Sequence, residues 1–183
     1  MNELRGLAPE LANLKIKNIT LSKSGKATFD GKDYVFDPST DFGTLDWGRG
    51  VWTYDNTWYW GSGNMDIDGH SFGFNIGYGF GDMSQASENA VFVDGVCHKT
   101  GRVFIDIPMD NRNEKWVIRS DDKRFEVTVT PIVNSDSKHV IGLKTFNEKV
   151  MFGRMSGTVV LDNGESITVN DITCFFEESV NKY

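Results

Sequence analysis

Four Asp-Gly or Asn-Gly dipeptides punctuate this chain, and each lies between runs of residues that favour β-strands. Such dipeptides supply the positive φ angles of a two-residue turn, so each one predicts a β-hairpin. The four are Asp30-Gly31, Asp68-Gly69, Asp94-Gly95 and Asn163-Gly164. Further strands are expected near residues 14–21, 115–119, 123–132 and 139–147, and helix only as a turn or two in residues 7–13. We therefore predict one all-β antiparallel domain over residues 1–183, closed or nearly closed as a β-barrel.

The hairpin at Asp68-Gly69 also predicts which residues face each other. A two-residue turn places Trp60 opposite Gly77, and Ser62 opposite Asn75, on one face of the hairpin. The large side chains of the other face are all apolar, namely Tyr59, Met65, Phe72, Phe74, Ile76 and Tyr78. We assign the tryptophan face to the barrel interior. The second face then needs a cover from a long loop, a second domain or the partner in a homodimer.

Four of the five tryptophans, Trp47, Trp52, Trp58 and Trp60, fall within fourteen residues. Burying one indole removes about 150–250 Å² from water, so the four hold roughly 15–25 kcal/mol of gross burial energy. A folded domain does not leave that much apolar surface exposed. The four rings therefore form the centre of a core or line a cavity for an apolar ligand, and the sequence leaves both interpretations open.

Two charged residues, Asp46 and Arg49, lie among these tryptophans. We expect them to be buried and to interact, because an unpaired buried charge is strongly destabilising. They form a structural ion pair in one interpretation. In the other, Arg49 positions an oxygenated substrate while Asp46 transfers a proton. The register of the last hairpin, at Asn163-Gly164, predicts a second interior acid, Glu177, and an exposed ion pair between Glu178 and Lys149.

Five polar residues are candidates for hydrogen bonds to a ligand. Ser62 and Asn75 lie among the tryptophans, Glu88 and Asn89 open the strand that follows, and Arg154 shares a face with the second candidate acid. Each of them also fits a structural role, since a polar group buried in a core needs hydrogen-bond partners.

Composition and spacing argue against several functions. The net charge of −7 disfavours nucleic acid and anionic membranes, because both require a basic face. No apolar run has the length of a signal peptide or a membrane span, which favours a cytoplasmic protein. Cys97, Cys174 and the three histidines lack metal-ligand spacing, so we expect reduced thiols, no metal and no cofactor. The calcium-loop-like segment Asn64 to Gly69 lacks the glutamate at its twelfth position and is predicted to be a hairpin turn.

Separate blocks of the sequence are typical of one bacterial family. The blocks run from Leu45 to Trp52, Trp58 to Ser62, Asn75 to Asp82, Glu88 to Gly95, Phe152 to Gly157 and Phe176 to Glu178. They resemble the family named domain of unknown function twenty-eight-oh-four, which is distantly similar to carotenoid hydratases (hydroxyneurosporene synthases). Those proteins contain two lipocalin-like barrels. The resemblance implies that this chain is a lipocalin-like barrel corresponding to the second one, with the first half missing or encoded separately.

Three functions follow as expectations. In the first, the tryptophans and their polar neighbours bind an apolar, lipid- or isoprenoid-like molecule without chemistry. In the second, which the resemblance implies, an enzyme hydrates or isomerises an apolar substrate with Asp46 or Glu177 as the proton donor. In the third, the tryptophans are plain core and the chain docks on a partner half.

Overall fold

The computed structural model describes residues 16–17, 21–22, 25–47, 53–84 and 86–182, and within these residues every regular element is a β-strand. The strands are β1 (Ile16–Lys17), β2 (Leu21–Ser22), β3 (Gly25–Phe29), β4 (Lys32–Phe36), β5 (Phe42–Gly43), β6 (Asp46–Trp47), β7 (Asp55–Ile67), β8 (His70–Tyr78), β9 (Ala90–Val93), β10 (Val96–Lys99), β11 (Val103–Asp106), β12 (Trp116–Ser120), β13 (Phe125–Ile141), β14 (Lys144–Val160) and β15 (Ser166–Lys182). The all-β prediction is confirmed, while residues 7–13 lie outside the described part of the chain. No helix in the described residues is long and apolar enough to cross a membrane.

One nine-stranded antiparallel sheet dominates the fold, in the order β10-β9-β8-β7-β15-β14-β13-β12-β11. Three further two-stranded sheets pair β1 with β6, β2 with β5, and β3 with β4. Since the first strands of the chain pair only among themselves, the fold has a main sheet and a separate N-terminal group of short hairpin-like pairs.

All four predicted turns occur. Asp68 and Gly69 have φ angles of 53° and 86°, and the Asp-Gly pairs at positions 30 and 94 have the same signs, as a type I′ turn requires. The fourth turn is different: only Gly164 has a positive φ, and its N–H donates to the Leu161 carbonyl at 3.0 Å. One predicted strand is wrong, because residues 139–147 contain a turn at Gly142 and Leu143 that joins β13 to β14.

The sheet curls strongly, as a contact between two aromatic rings demonstrates. Phe74 on β8 and Phe125 on β13 are four strands apart, which is about 19 Å in a flat sheet. Their ring centroids are 5.4 Å apart. The enclosed core holds one cluster of apolar side chains from β8, β9 and β11 to β15, and the largest fully buried members include Trp116, Phe72, Phe176 and Met151. This curled antiparallel sheet agrees with the predicted lipocalin-like barrel.

The assignment of the two hairpin faces is wrong and must be reversed. Phe72, Phe74 and Ile76 are fully buried in the core, so they line the inside of the curled sheet. Trp58 and Trp60 therefore lie on the opposite face, called the outer face below. Both faces of this hairpin are apolar, so the alternation of residues along the strands does not choose between them. In the structure, both indole N–H groups find acceptors on the outer face, in Glu177 and Asn75. The face that was expected to need a homodimer partner is therefore already buried in the core. Self-association of the chain stays a prediction.

Candidate functional site

The outer face of the sheet brings together five residues that the sequence singled out. Alternation along β7 places Trp58, Trp60 and Ser62 on this face. Antiparallel pairing then sets Glu177 of β15 beside Trp60, and Asn75 of β8 beside Ser62. All five side chains are buried, although they point away from the apolar core. A covered face of this kind combines aromatic surface with a carboxylate and two neutral polar groups.

Each tryptophan is fixed by one hydrogen bond and one ring contact. The Trp58 Nε1–H donates to Oε1 of Glu177 at 2.8 Å, and the Trp60 Nε1–H donates to Oδ1 of Asn75 at 2.8 Å. Edge-to-face contacts join Trp58 to Phe80 and Trp60 to Phe175, with centroids 5.4 and 4.7 Å apart. Buried indoles normally satisfy their N–H in this way. Glu177 is buried, but on the outer face of the sheet and not in the barrel interior where it was expected.

Three further buried polar residues continue this row and were missed by sequence reasoning. Ser179, Asn181 and Asn56 lie along the same face at the end of β15 and β7. Asn181 Nδ2 donates to the Ser179 hydroxyl at 3.0 Å, while the buried Oδ1 of Asn56 accepts no hydrogen bond from any residue that the structure describes. Ser179 and Asn181 follow Glu177 at every second residue, and this spacing places all three on one face of the strand. Polar residues with that spacing usually mark a face in contact with solvent, so their burial was not expected.

Glu88 and Asn89, the two residues before β9, form hydrogen bonds with neighbouring segments of the chain. Asn89 accepts a hydrogen bond from the Gly77 N–H at 2.7 Å and donates to the Gly101 carbonyl at 3.2 Å. The Glu88 carbonyl accepts a bond from Nδ2 of Asn75 at 3.2 Å. These contacts favour the structural interpretation of Asn89, because both ends of its amide are engaged by backbone groups.

A cleft of about 720 Å³ opens on the outer face, next to the tryptophans. One wall is the segment from Tyr34 to Thr44, and the floor is the outer face of β7, β14 and β15. The lining includes the side chains of Tyr34, Phe36, Phe42, Phe152, Phe175 and Arg154. Ser62 also lines the cleft, whereas Trp58 and Trp60 do not. Sequence reasoning therefore found two of its residues, Ser62 and Arg154, and missed its aromatic walls.

The floor of the cleft changes from aromatic to polar along β14 and β15. Phe152 and Phe175 lie side by side with ring centroids 6.3 Å apart, and Phe175 also contacts Trp60. Two residues further along, Arg154 donates to the Asp171 carbonyl at 3.2 Å and lies 3.8 Å from its carboxylate. The cleft thus presents an apolar surface next to a polar one.

Among the residues around the N-terminal end of the tryptophan cluster, the structure tests the predicted burial of Asp46. Asp46 lies on the short strand β6 and is exposed, so its expected burial is wrong. This strand pairs with β1 outside the main sheet, with Trp47 opposite Ile16, which explains the exposure. Arg49, Trp52 and the side chain of Trp47 lie outside the described residues.

Lys149 and Glu178 form the ion pair that the register of the last hairpin predicted, and they lie on the core face of the sheet. Their charged atoms lie 3.2 Å apart, and the pair is half-buried rather than exposed as expected. Tyr59 lies beside it, and burial raises the pKa of this phenol, with the Glu178 carboxylate adding to the effect. Across the described residues, no three His, Cys, Asp or Glu side chains converge to hold a metal ion.

Comparison with known families gives one match. The model of the family described as Domain of unknown function (DUF2804) matches residues 7–183. No curated protein and no solved structure matches the chain. The similarity to carotenoid hydratases and the correspondence to the second of two barrels stay predictions.

Proposed function

This chain belongs to the DUF2804 family, and we propose that it is a binding protein whose outer cleft holds an apolar, lipid- or isoprenoid-like small molecule. The observation that carries the proposal is a cleft of about 720 Å³ with aromatic side chains on its wall and on its floor. Small-molecule sites in proteins are concave, mostly apolar and roughly 300–1,000 Å³ in volume, with a few polar groups that fix orientation.

Exposure of the lining supports the same conclusion. Tyr34, Phe36 and Phe152 each expose 40% or more of their surface, although all three face a shared concavity. Single exposed apolar side chains are common on proteins, but a contiguous group of them marks a binding site. A ligand in the cleft would remove these rings from water, and that burial would supply most of its affinity.

A fluorescent apolar dye tests the proposal. N-phenylnaphthylamine should bind with micromolar affinity, be displaced by long-chain alcohols or isoprenoids, and change the tryptophan emission, because Trp60 contacts the cleft through Phe175. Phe152→Ala should weaken dye binding about fivefold or more, since it removes part of the floor. Phe104→Ala is the matched control, because Phe104 is 44% exposed like Phe152 but lies on β11, outside the cleft.

Two outcomes would contradict the binding function. The first is a folded protein that binds neither the dye nor any apolar ligand. The second is an equal loss of affinity in the Phe152 and Phe104 variants, because the dye would then bind nonspecifically to exposed rings.

A second candidate function is acid–base catalysis on an apolar substrate. The buried carboxylate of Glu177, fixed by Trp58 on the outer face, favours it, although this side chain lies beside the cleft and does not line it. Proton donation to a double bond requires a carboxylic acid held in place near an apolar ligand. Glu177→Gln should then abolish hydration or isomerisation of an isoprenoid while dye binding persists. Turnover that is unchanged in this variant would remove Glu177 from catalysis.

A further inference from the structure

We propose that the cleft selects a ligand with an uncharged, hydroxylated head group and disfavours one with a carboxylate. The inference rests on the proposed binding function and names the ligand class that the same cleft would take. It follows from the order of apolar, polar and acidic side chains along the floor, and from the contact of its cation with an aspartate.

The floor is ordered in three rows across β15 and β14. Phe175 pairs with Phe152 in the first row, and Thr173 pairs with Arg154 in the second. Asp171 lines the cleft beyond them, next to the irregularity where the pairing shifts. Because alternate residues of a strand share a face, a ligand with its apolar body over the two phenylalanines and its head group in the next row meets Thr173 and Arg154.

The lining of the cleft is acidic overall among the residues that the structure describes. These include three aspartates, Asp41, Asp66 and Asp171, and one cation, Arg154. The guanidinium of Arg154 lies 3.8 Å from the carboxylate of Asp171 and donates to the carbonyl of the same residue. Much of its positive charge is therefore offset within the floor.

The other two carboxylates are held by backbone groups. Asp66 Oδ1 accepts from the Gly69 N–H and Asp41 Oδ2 from the Asp37 N–H, both at 2.8 Å. A ligand carboxylate would meet net repulsion from these fixed charges, whereas a hydroxyl carries no charge and matches the neutral groups of Ser62, Asn64 and Thr173.

Decanol and decanoate test this selectivity, because they share one apolar chain and differ only in the head group. Both are measured by displacement of the apolar dye near neutral pH and at low ionic strength, where charge effects are least screened. We expect decanol to bind about tenfold more tightly than decanoate. Asp171→Asn should reduce the ratio of the decanol affinity to the decanoate affinity about threefold or more, because decanoate binds more tightly while decanol binding stays unchanged.

The variant is conservative and has a matched control. Asp171 has a φ of 57°, a conformation that asparagine tolerates well, so the fold should be retained. Asp110→Asn makes the same change at an exposed loop residue outside the cleft and should leave the ratio unaltered.

Three results would overturn the inference. Decanoate binding as tightly as decanol, or a ratio that Asp171→Asn leaves unchanged, would show that the acidic row does not select the head group. Tighter binding of decylammonium than of decanol would show that the cleft selects a cationic head group, not a neutral one. If the dye binds and any of these holds, the cleft still binds apolar ligands; if nothing binds, the proposed function fails as well.

Discussion

The Trp58 indole donates a hydrogen bond of 2.8 Å to Glu177, which lies 119 residues further along the chain. This bond joins β7 to β15, two neighbouring strands of the main sheet, on the face that points away from the core. A buried carboxylate is stable only where hydrogen bonds replace its lost hydration. The pair therefore ties the stability of the sheet to the group that is the candidate acid of the outer face.

Replacing Trp58 by Phe should destabilise the fold, because it removes the N–H donor and keeps most of the ring. Hydrogen bonds to charged groups contribute about 1.5–3 kcal/mol and those between neutral groups about 0.5–1.5 kcal/mol. Trp58→Phe should therefore cost more free energy of unfolding in the wild type than in the Glu177→Gln background. Urea unfolding of the four proteins measures the coupling. Equal costs in both backgrounds would show that the bond does not depend on the carboxylate charge.

Gly61→Ala should destabilise the protein by about 1–3 kcal/mol, as overpacking of a core does. A Cβ at this position would overlap the ring of Phe176, which packs directly over the glycine. Phe176→Leu should restore part of the loss, since it removes the ring that the new methyl group meets. Urea unfolding of the single and double variants gives the comparison. A Gly61→Ala protein as stable as the wild type would contradict the close approach.

The hairpin turns were predictable because their geometry depends on two adjacent residues. The register around Asp68-Gly69 is also confirmed, with Trp60 opposite Gly77. Lys149 pairs with Glu178 as predicted, but only because two register shifts that were not predicted cancel each other. The turn at Gly164 shifts the pairing by one residue, with Val160 opposite Ser166, and a β-bulge after Met155 shifts it back.

The cleft could not be predicted, since no local pattern relates its walls. Tyr34 and Phe36 stand on one side, while Phe152 and Phe175 stand more than a hundred residues away in sequence on the other. The exposure of Asp46 was missed for a similar reason. Its position among tryptophans suggested burial, but a strand of two residues outside the main sheet leaves it at the surface.

The two cysteines should differ sharply in reactivity. Burial raises the pKa of Cys174 to about 12, and its thiol contacts the Gly153 carbonyl, whereas Cys97 is exposed. Since the thiolate is the reactive form, Ellman's reagent should titrate one thiol rapidly in the native protein and both in urea. Cys97→Ser should abolish the rapid phase. Rapid reaction of Cys174 in that variant would contradict its burial.

Stability should depend on pH through His70 and Asp94, which lie 2.7 Å apart at the ends of two hairpins. The hydrogen bond that the His70 ring donates to the Asp94 carboxylate raises the pKa of His70 above 6.5 and lowers the pKa of Asp94 below 3.8. The histidine's contribution is complete below pH 6.5 and is lost as pH rises through its folded-state pKa. That of Asp94 is present above pH 3.8 and is lost as pH falls through its own.

His70→Gln should therefore lower the urea midpoint most between pH 3.8 and 6.5, and progressively less at higher pH. Both side chains are exposed, so the effect is small and weakens with added salt. His139→Gln, at an exposed residue of β13, is the matched control. A midpoint difference for His70→Gln that does not change with pH would show that the pair does not form.

Backbone amides of the hairpin β3–β4 should exchange with deuterium much faster than those of β14. The two strands pair only with each other, and every residue from Gly25 to Phe36 is exposed, whereas β14 is bonded on both sides by β13 and β15. An isolated two-stranded hairpin is marginally stable in water, so its amides open at little cost. Because Tyr34 and Phe36 line the cleft, saturating decanol should slow exchange in β4 and leave β12 unchanged. Hydrogen exchange followed by mass spectrometry resolves these segments. Slow exchange in β3 and β4 without ligand would show that the hairpin is already held against the sheet, and the cleft would then be a fixed rather than a ligand-stabilised site.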